Sequence, residues 1–261
     1  MGTIQNQVAT TNNSKKSMQQ YIKSMEGEIK KALPSVITPE RFTRMVLSAI
    51  SVNPKLASCT PASFLGAMMN AAQLGLEPNT PLGQAYLIPY GNQVQFQIGY
   101  KGLIDLAYRS GEVELVQAHI VYENDDFECE FGLEPKLVHK PADKNRGEPI
   151  KVYAMFKTKS GGYGFEVMSM DEVKKHAEKF SQTAKSSSSP WKTNFEEMAK
   201  KTVLKKALKY APLKSDFVKG VVQDETVKTE IAEDMYEVQD NTIYDAEYAE
   251  VDTDTGEVVE S

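Results

Sequence analysis

Cysteine is nearly absent. Cys59 and Cys129 are the two in 261 residues, too few for a disulfide framework or a four-cysteine zinc site. No glycine is followed by lysine, so the phosphate loop of ATP-driven recombinases and helicases is missing. No apolar run approaches the ~20 residues of a membrane span. The polar start (Gln5, Asn6, Gln7, Thr10, Asn12, Asn13) has no signal-peptide apolar core. Met1-Gly2 opens a myristoylation pattern, but Asn6 stands where that pattern requires Ser or Thr. His119, His139 and His176 fall on separate elements without metal-ligand spacing, and neither a nucleophile elbow nor a dinucleotide fingerprint occurs. With 41% hydrophobic and 25% charged residues, wholesale disorder is excluded. The expectation is a reduced, soluble, cytoplasmic chain that uses no cofactor.

Charge is present but segregated. From Asp224 to Ser261 there are 14 acids and one base (Lys228), whereas the other 223 residues hold 22 acids and 29 bases. Between Lys174 and Lys219, twelve lysines face four acids. A basic body with an acidic tail is compatible with a nucleic-acid partner despite the net charge of −6. The tail lacks apolar periodicity after about Val227 and is expected to be disordered. Residues 1–17 read the same way. The expected organisation is a disordered segment 1–17, a folded basic body 18–223 suited to a nucleic-acid partner, and an acidic tail 224–261.

Start and stop signals place the elements. Thr38-Pro39 and Thr60-Pro61 each open a helix, the first stopped by Asn53-Pro54 and the second by Gly75. The period then changes to two. Ala85–Tyr90, a Gly91-Asn92 turn and the alternation Val94, Phe96, Ile98 predict a hairpin. A short helix follows over Leu103–Arg109, then strands at Val113–Tyr122, Phe127–Phe131, Val152–Thr158 and Tyr163–Met168. Ser169-x-x-Glu172 and Thr193-x-x-Glu196 read as capping boxes for helices reaching Phe180 and Tyr210, with Ser186–Trp191 as a loop between them. Helices flanking consecutive strands predict an α+β fold with an antiparallel sheet.

The last of these helices carries the chemistry. Phe195, Ala199, Val203, Leu204, Ala207 and Leu208 share an arc; Lys201, Lys205 and Lys209 form a row opposite, with Lys206 at its edge and Lys200 inside the apolar arc. Unpaired like charge on one face suits a polyanion; a solubilising face is the alternative. Trp191, beside Lys192, either anchors the core or offers a platform for a base. Tyr100-Lys101 and Tyr108-Arg109 pair an aromatic with a cation. Gln95 and Gln97 project from the hairpin face opposite its apolar residues, toward water, bases or another subunit. Asp126, Glu128 and Glu130 share one strand face, as a wet outer face, as an intersubunit contact to the lysine-rich helix, or as a Mg²⁺ cluster of a nuclease. Replacing Lys201 and Lys205 by Ala is expected to flatten the salt dependence of DNA binding, and the acidic tail to compete with DNA for the basic groove or to dock a partner protein.

The blocks Gln73–Pro78 (QLGLEP), Leu82–Pro89 (LGQAYLIP), Gln97–Gly102 (QIGYKG), Leu103–Gly111 (LIDLAYRSG), Trp191, Glu196–Thr202 (EEMAKKT) and Lys205-Lys206 resemble the RecT family of phage single-strand annealing proteins, in the family's order, from about Leu33 to Pro212. The short Gly91-Asn92-Gln93 connection departs from relatives that carry a longer, more basic insertion there. The resemblance implies a phage or prophage protein of the host cytoplasm. It would coat single-stranded DNA and pair it with its complement without ATP, through an annealed duplex intermediate, as a homo-oligomeric ring or helical filament. A 5′→3′ exonuclease and a host single-strand binding protein are the implied partners. The DNA-contact candidates are Tyr100, Lys101, Arg109, Trp191, Lys192, Lys200, Lys201, Lys205, Lys206 and Lys209.

Overall fold

A computed structural model describes residues 20–240, except 22, 34–36, 182–188 and 214. The expectations for residues 1–17, for Ser186–Ser188 and for the tail beyond Asp240 lie outside them. Helices α1 (Glu26–Ala32), α2 (Pro39–Val52) and α3 (Pro61–Gln73) lead into the hairpin β1 (Ala85–Tyr90) and β2 (Gln93–Ile98), followed by α4 (Tyr100–Arg109). Strands β3 (Val113–Tyr122), β4 (Asp126–Glu130), β5 (Lys136–Lys140), β6 (Pro149–Thr158) and β7 (Tyr163–Ser169) come next. The chain continues through α5 (Met170–Phe180), α6 (Pro190–Thr193), α7 (Phe195–Ala207) and α8 (Ser215–Gln223).

The fold is α+β, as the element order predicts. β3, β6 and β7 form an antiparallel sheet in the order β3-β6-β7, and β4 and β5 form a separate two-stranded ribbon. Tyr90 pairs with Gln93 across the hairpin turn, where Gly91 takes a φ of 53° that a glycine adopts without steric cost. The Thr38 hydroxyl accepts from the Arg41 amide, and Ser169 with Glu172 closes a complete capping box. One apolar core runs through Phe42, Phe64, Phe96, Leu103, Val116, Val152 and Val203. α3 packs on β2, while α7 lies across β6, β7 and β3.

Three expectations are corrected. Thr193 does not cap the basic helix: α7 starts at Phe195 with Asn194 as a cap lacking a side-chain bond. Ser189 and Pro190 start a one-turn helix earlier, with the Ser189 hydroxyl accepting from Trp191 N–H; Thr193 is consumed there, its hydroxyl donating to the Ser189 carbonyl at 3.3 Å. Residues Lys136–Lys140 are a strand although their pattern is too short and too charged to announce one; pairing with β4, not burial, holds them. And the body does not end at Gln223. Asp224, Thr226, Val227, Lys228 and Met235 are buried.

Candidate nucleic-acid interface

Ala199, Val203, Leu204 and Ala207 are buried, as the helical period of α7 requires. Lys201 is buried too, at 3% exposure. Its Nζ donates to Asp224 Oδ1 at 2.9 Å and to Glu225 Oε1 at 3.0 Å. Lys205 Nζ donates to Asp224 Oδ2 at 2.7 Å. Burial alone would favour a neutral Lys201; Asp224 and Glu225 outweigh it and hold its ammonium above the ordinary lysine value. Burial likewise opposes ionisation of Asp224, and Lys201 with Lys205 overcomes it, keeping the carboxyl below its ordinary value. The expected free lysine row is therefore corrected at two of its three members. A single helix shows only one buried arc to a sequence reading, whereas here the chain after α8 covers a second.

That covering segment is built in by hydrogen bonds. The Ile98 amide donates to Asp224 Oδ1 at 2.8 Å. The Phe96 amide donates to the Thr226 carbonyl at 3.0 Å, and the Glu225 amide to the Phe96 carbonyl at 2.8 Å. Residues 224–226 thus lengthen the hairpin sheet by a short third edge. Gln95 donates to the Glu225 carbonyl, and Gln97, 7% exposed, donates to Gln95; the outward amides serve this junction. Farther on, Gln73 donates to the Ala232 and Glu233 carbonyls and accepts from the Met235 amide. Lys219 pairs with Asp234.

Arg109 is also spoken for. Its Nη2 donates to the Leu74 carbonyl just beyond α3 at 2.7 Å, and its Nε meets Asp105 at 3.1 Å, so it closes a helix end. Lys200 sits 3.4 Å from Glu197, its Nζ 5.5 Å from the centre of the Tyr100 ring. Lys206 stands 3.9 Å from Glu166. Lys101, Lys192 and Lys209 are exposed. Trp191 is half-buried, packed on the core with its ring 6.2 Å from that of Phe195.

A cleft of about 950 Å³ lies between β1 and the α6–α7 junction; Lys55 and Lys201 are the cations of its lining, Lys101 follows the lining residue Tyr100, and Lys192 falls between the lining residues Pro190 and Asn194. Tyr86, Tyr90 and Tyr100 line it, with Lys55 on one side and Pro190, Asn194 and Glu197 on the other. The Lys101 stem and the Tyr86 hydroxyl both lie against Gly83. Burial, then Glu197, raises the phenols of Tyr86 and Tyr100 above their ordinary value. They stay protonated at neutral pH and add no negative charge. The cleft can offer aromatic faces to bases while lysines meet phosphates.

The acidic strand face has a different use. Asp126 pairs with Lys140 at 3.3 Å and Glu128 with Lys136 at 2.7 Å across the β4–β5 ribbon. Among the described residues, no group of three or more His, Cys, Asp or Glu is placed to hold a metal ion.

A second polar centre joins this ribbon to the main sheet. The Asp125 side chain, 0% exposed, accepts from Arg146 Nε at 2.9 Å and from the Tyr122 and Ala142 amides, and meets His139 Nε2 at 3.0 Å. The Arg146 guanidinium, then His139 and the two amides, hold its carboxyl well below the usual carboxylate range despite burial. A folded-state value below the unfolded value of about 3.9 contributes stability that is present above that pH and is lost as pH falls below it. In Asp125→Asn, acid unfolding between pH 4 and 3 is expected to take up about one proton fewer per molecule, read from the pH dependence of urea midpoints. An unchanged slope would show that this carboxylate is not the acid-sensitive group.

Comparison with known proteins adds independent findings. Residues 40–242 match the RecT family. Protein RecT of Escherichia coli (strain K12) is 38% identical over 237 residues, which span 88% of this chain and 85% of that protein. An uncharacterised protein of Bacillus subtilis (strain 168), YqaK, is 30% identical over 202 residues, 73% of this chain and 66% of its own. Among the described residues, no helix is long and apolar enough to cross a membrane.

Proposed function

The chain belongs to the RecT family, a family of DNA recombination and annealing proteins, and from that premise we propose that it binds single-stranded DNA and pairs it with its complement without nucleotide hydrolysis. The observation that supports this most is the tyrosine-lined cleft flanked by exposed lysines. A base stacked on an aromatic side chain gains about 1–3 kcal/mol regardless of its identity, so Tyr86, Tyr90 and Tyr100 suit a strand of any sequence. Lys101, Lys192 and Lys209 are assigned to phosphates, with Lys200 and Lys206 at the margin, and Trp191 supports the wall from behind. Lys201, Lys205 and Arg109 are assigned to the framework.

Base-pair stacking releases about 1.4 kcal/mol per step on average, so duplex formation needs no further energy source. The obstacle is repulsion between two backbones, which cationic subunits ranged along the DNA would screen. In this reading the chain works as a homo-oligomeric ring or filament in the host cytoplasm. It takes strands made by a 5′→3′ exonuclease, alongside a host single-strand binding protein, and has no catalytic turnover of its own.

The deciding experiment mixes complementary oligonucleotides with the protein in nucleotide-free buffer: accelerated duplex formation from intact strands supports the reading, and an unchanged rate overturns it. Degradation of labelled strands with Mg²⁺ would favour a nuclease instead. A further expected result concerns Lys101→Ala with Lys192→Ala. Each lost phosphate contact lowers the slope of log K against log salt by about 0.7 for a single strand, so the double variant should flatten it by about 1.4. A slope equal to that of the unaltered chain would remove these lysines from the interface.

A further inference from the structure

A pocket of about 400 Å³ opens between β3, the β4–β5 ribbon and the start of α7. His119, His139, Arg146 and Lys200 line it, with Glu196 as the one carboxylate of the lining. It shares no lining residue with the tyrosine cleft, and Lys200, which stands over Tyr100 of that cleft, lies between the two. We propose that it is a separate binding site for a phosphate group, organised from behind by Asp125.

The geometry is pre-set. Asp125 takes Nε and Nη2 of Arg146, Nη2 also reaches the Ile120 carbonyl at 3.5 Å, and Nη1 has no share in that pairing. The guanidinium carbon stands 4.2 Å over the centre of the Tyr122 ring, which fixes the plane of the fork. His139 is held on both nitrogens, by Asp125 at 3.0 Å and the Tyr153 hydroxyl at 3.2 Å. A planar cation fixed before the ligand arrives loses little freedom on binding, and its Nη1 donors remain for a phosphate oxygen.

His119 supplies the adjustable charge. From its own strand the Gln117 side chain meets Nε2 at 3.3 Å, and from β6 the Tyr153 ring lies 5.4 Å away. His139 faces it from β5, Lys200 and Glu196 from α7, and Arg146 from the loop before β6. Burial, then His139 and Lys200, push its imidazole below the ordinary histidine value. The free pocket therefore favours the neutral imidazole of His119, which can take up a proton when an anion binds. A phosphate placed among these cations reverses the balance, because a nearby anion favours the imidazolium. Binding and proton uptake are then linked, and each strengthens the other.

The test is a proton NMR titration of the three histidines in the full chain, first with inorganic phosphate and with chloride as the ionic-strength control. The chloride titration is the reference, because His176, on α5, lies in the field of Lys206, Lys205 and Lys209 and can respond to phosphate itself. The expected result is a phosphate-dependent shift of His119, a higher midpoint for its titration, and an affinity advantage over H119Q that is at least about threefold larger at pH 6 than at pH 8. His119→Gln, checked for native circular dichroism, should retain only the pH dependence set by the ionisation of phosphate itself. A dinucleotide with or without a 5′-phosphate identifies the source: preference for the phosphorylated form assigns the site to strand ends, and equal binding assigns it to the backbone. The proposal is overturned if phosphate moves His119 no more than chloride does, or if H119Q binds phosphate with the same affinity and pH profile as the unaltered chain. Annealing is not read in this experiment, so its failure leaves the proposed function standing, and the reverse also holds.

Discussion

Asp224→Asn is expected to lower folding stability by about 3–5 kcal/mol, the cost of leaving one member of a buried ion pair without its partner. The Asn oxygen can still accept from the Ile98 amide, so the loss comes from the missing charge. Lys205, partly exposed, can turn to water. Lys201, 4% exposed at its side chain, cannot, and keeps only Glu225. Against a total of about 5–15 kcal/mol for a domain, this is a large fraction. Urea unfolding reads it as a lower midpoint at constant m-value. Adding Lys201→Met should recover part of the loss, because the stranded charge goes with the side chain. A single-variant midpoint equal to that of the unaltered chain would show that the ammonium is not buried as described.

The second large effect concerns where the chain is cut. A protein ending at Gln223 loses the Asp224 clamp, the edge pairing with Phe96, the buried Val227 and Met235 and the bonds to Gln73. It is expected to unfold at a far lower denaturant concentration, or with a broad transition. A protein ending at Asp240 keeps all of these contacts and should unfold like the full chain. It also discards seven of the tail's 14 acids, which makes it the proper variant for asking whether the distal acids compete with DNA. Gly66→Ala gives the same result by another route. A methyl there would sit 2.1 Å from the Lys228 carbonyl oxygen, far inside contact distance, so the segment must lift from α3. Equal stability of the Gln223 and Asp240 endings would refute the integral role of residues 224–240.

Much of the fold is legible because its signals are local. Thr38-Pro39 starts a helix by chain stiffness and one side-chain bond, and Ser169 with Glu172 does so by a reciprocal pair three residues apart. Gly91-Asn92 sets the hairpin by turn geometry, and the alternation through Val94, Phe96 and Ile98 states which face buries. Lys136–Lys140 escaped because a strand held by its neighbour on a half-wet ribbon needs little apolar alternation. Thr193 misled because Ser189 and Pro190, just upstream, offer a competing start.

The candidate site divides along the same line. Tyr100, Lys101, Trp191 and Lys192 are noticeable in the sequence, as aromatic residues next to cations. The partners that decide the fate of the others are not. Lys201 and Asp224 are separated by 23 positions, Arg109 and Leu74 by 35, and Arg146 and Asp125 by 21. Composition shows the acidic stretch, but it cannot show that the stretch begins as an edge of the hairpin sheet; the apolar Val227 and Met235 within it were the available signal.

By itself, the amino-acid order determined the helix starts, the strand alternation, the α+β class and the blocks shared with the RecT family, since each depends on residues a few positions apart. Tertiary structure decided which lysines remain available to an anion. Charge acts through space, and the carboxylate that neutralises Lys201 and Lys205 is brought to them by a segment from beyond the next helix.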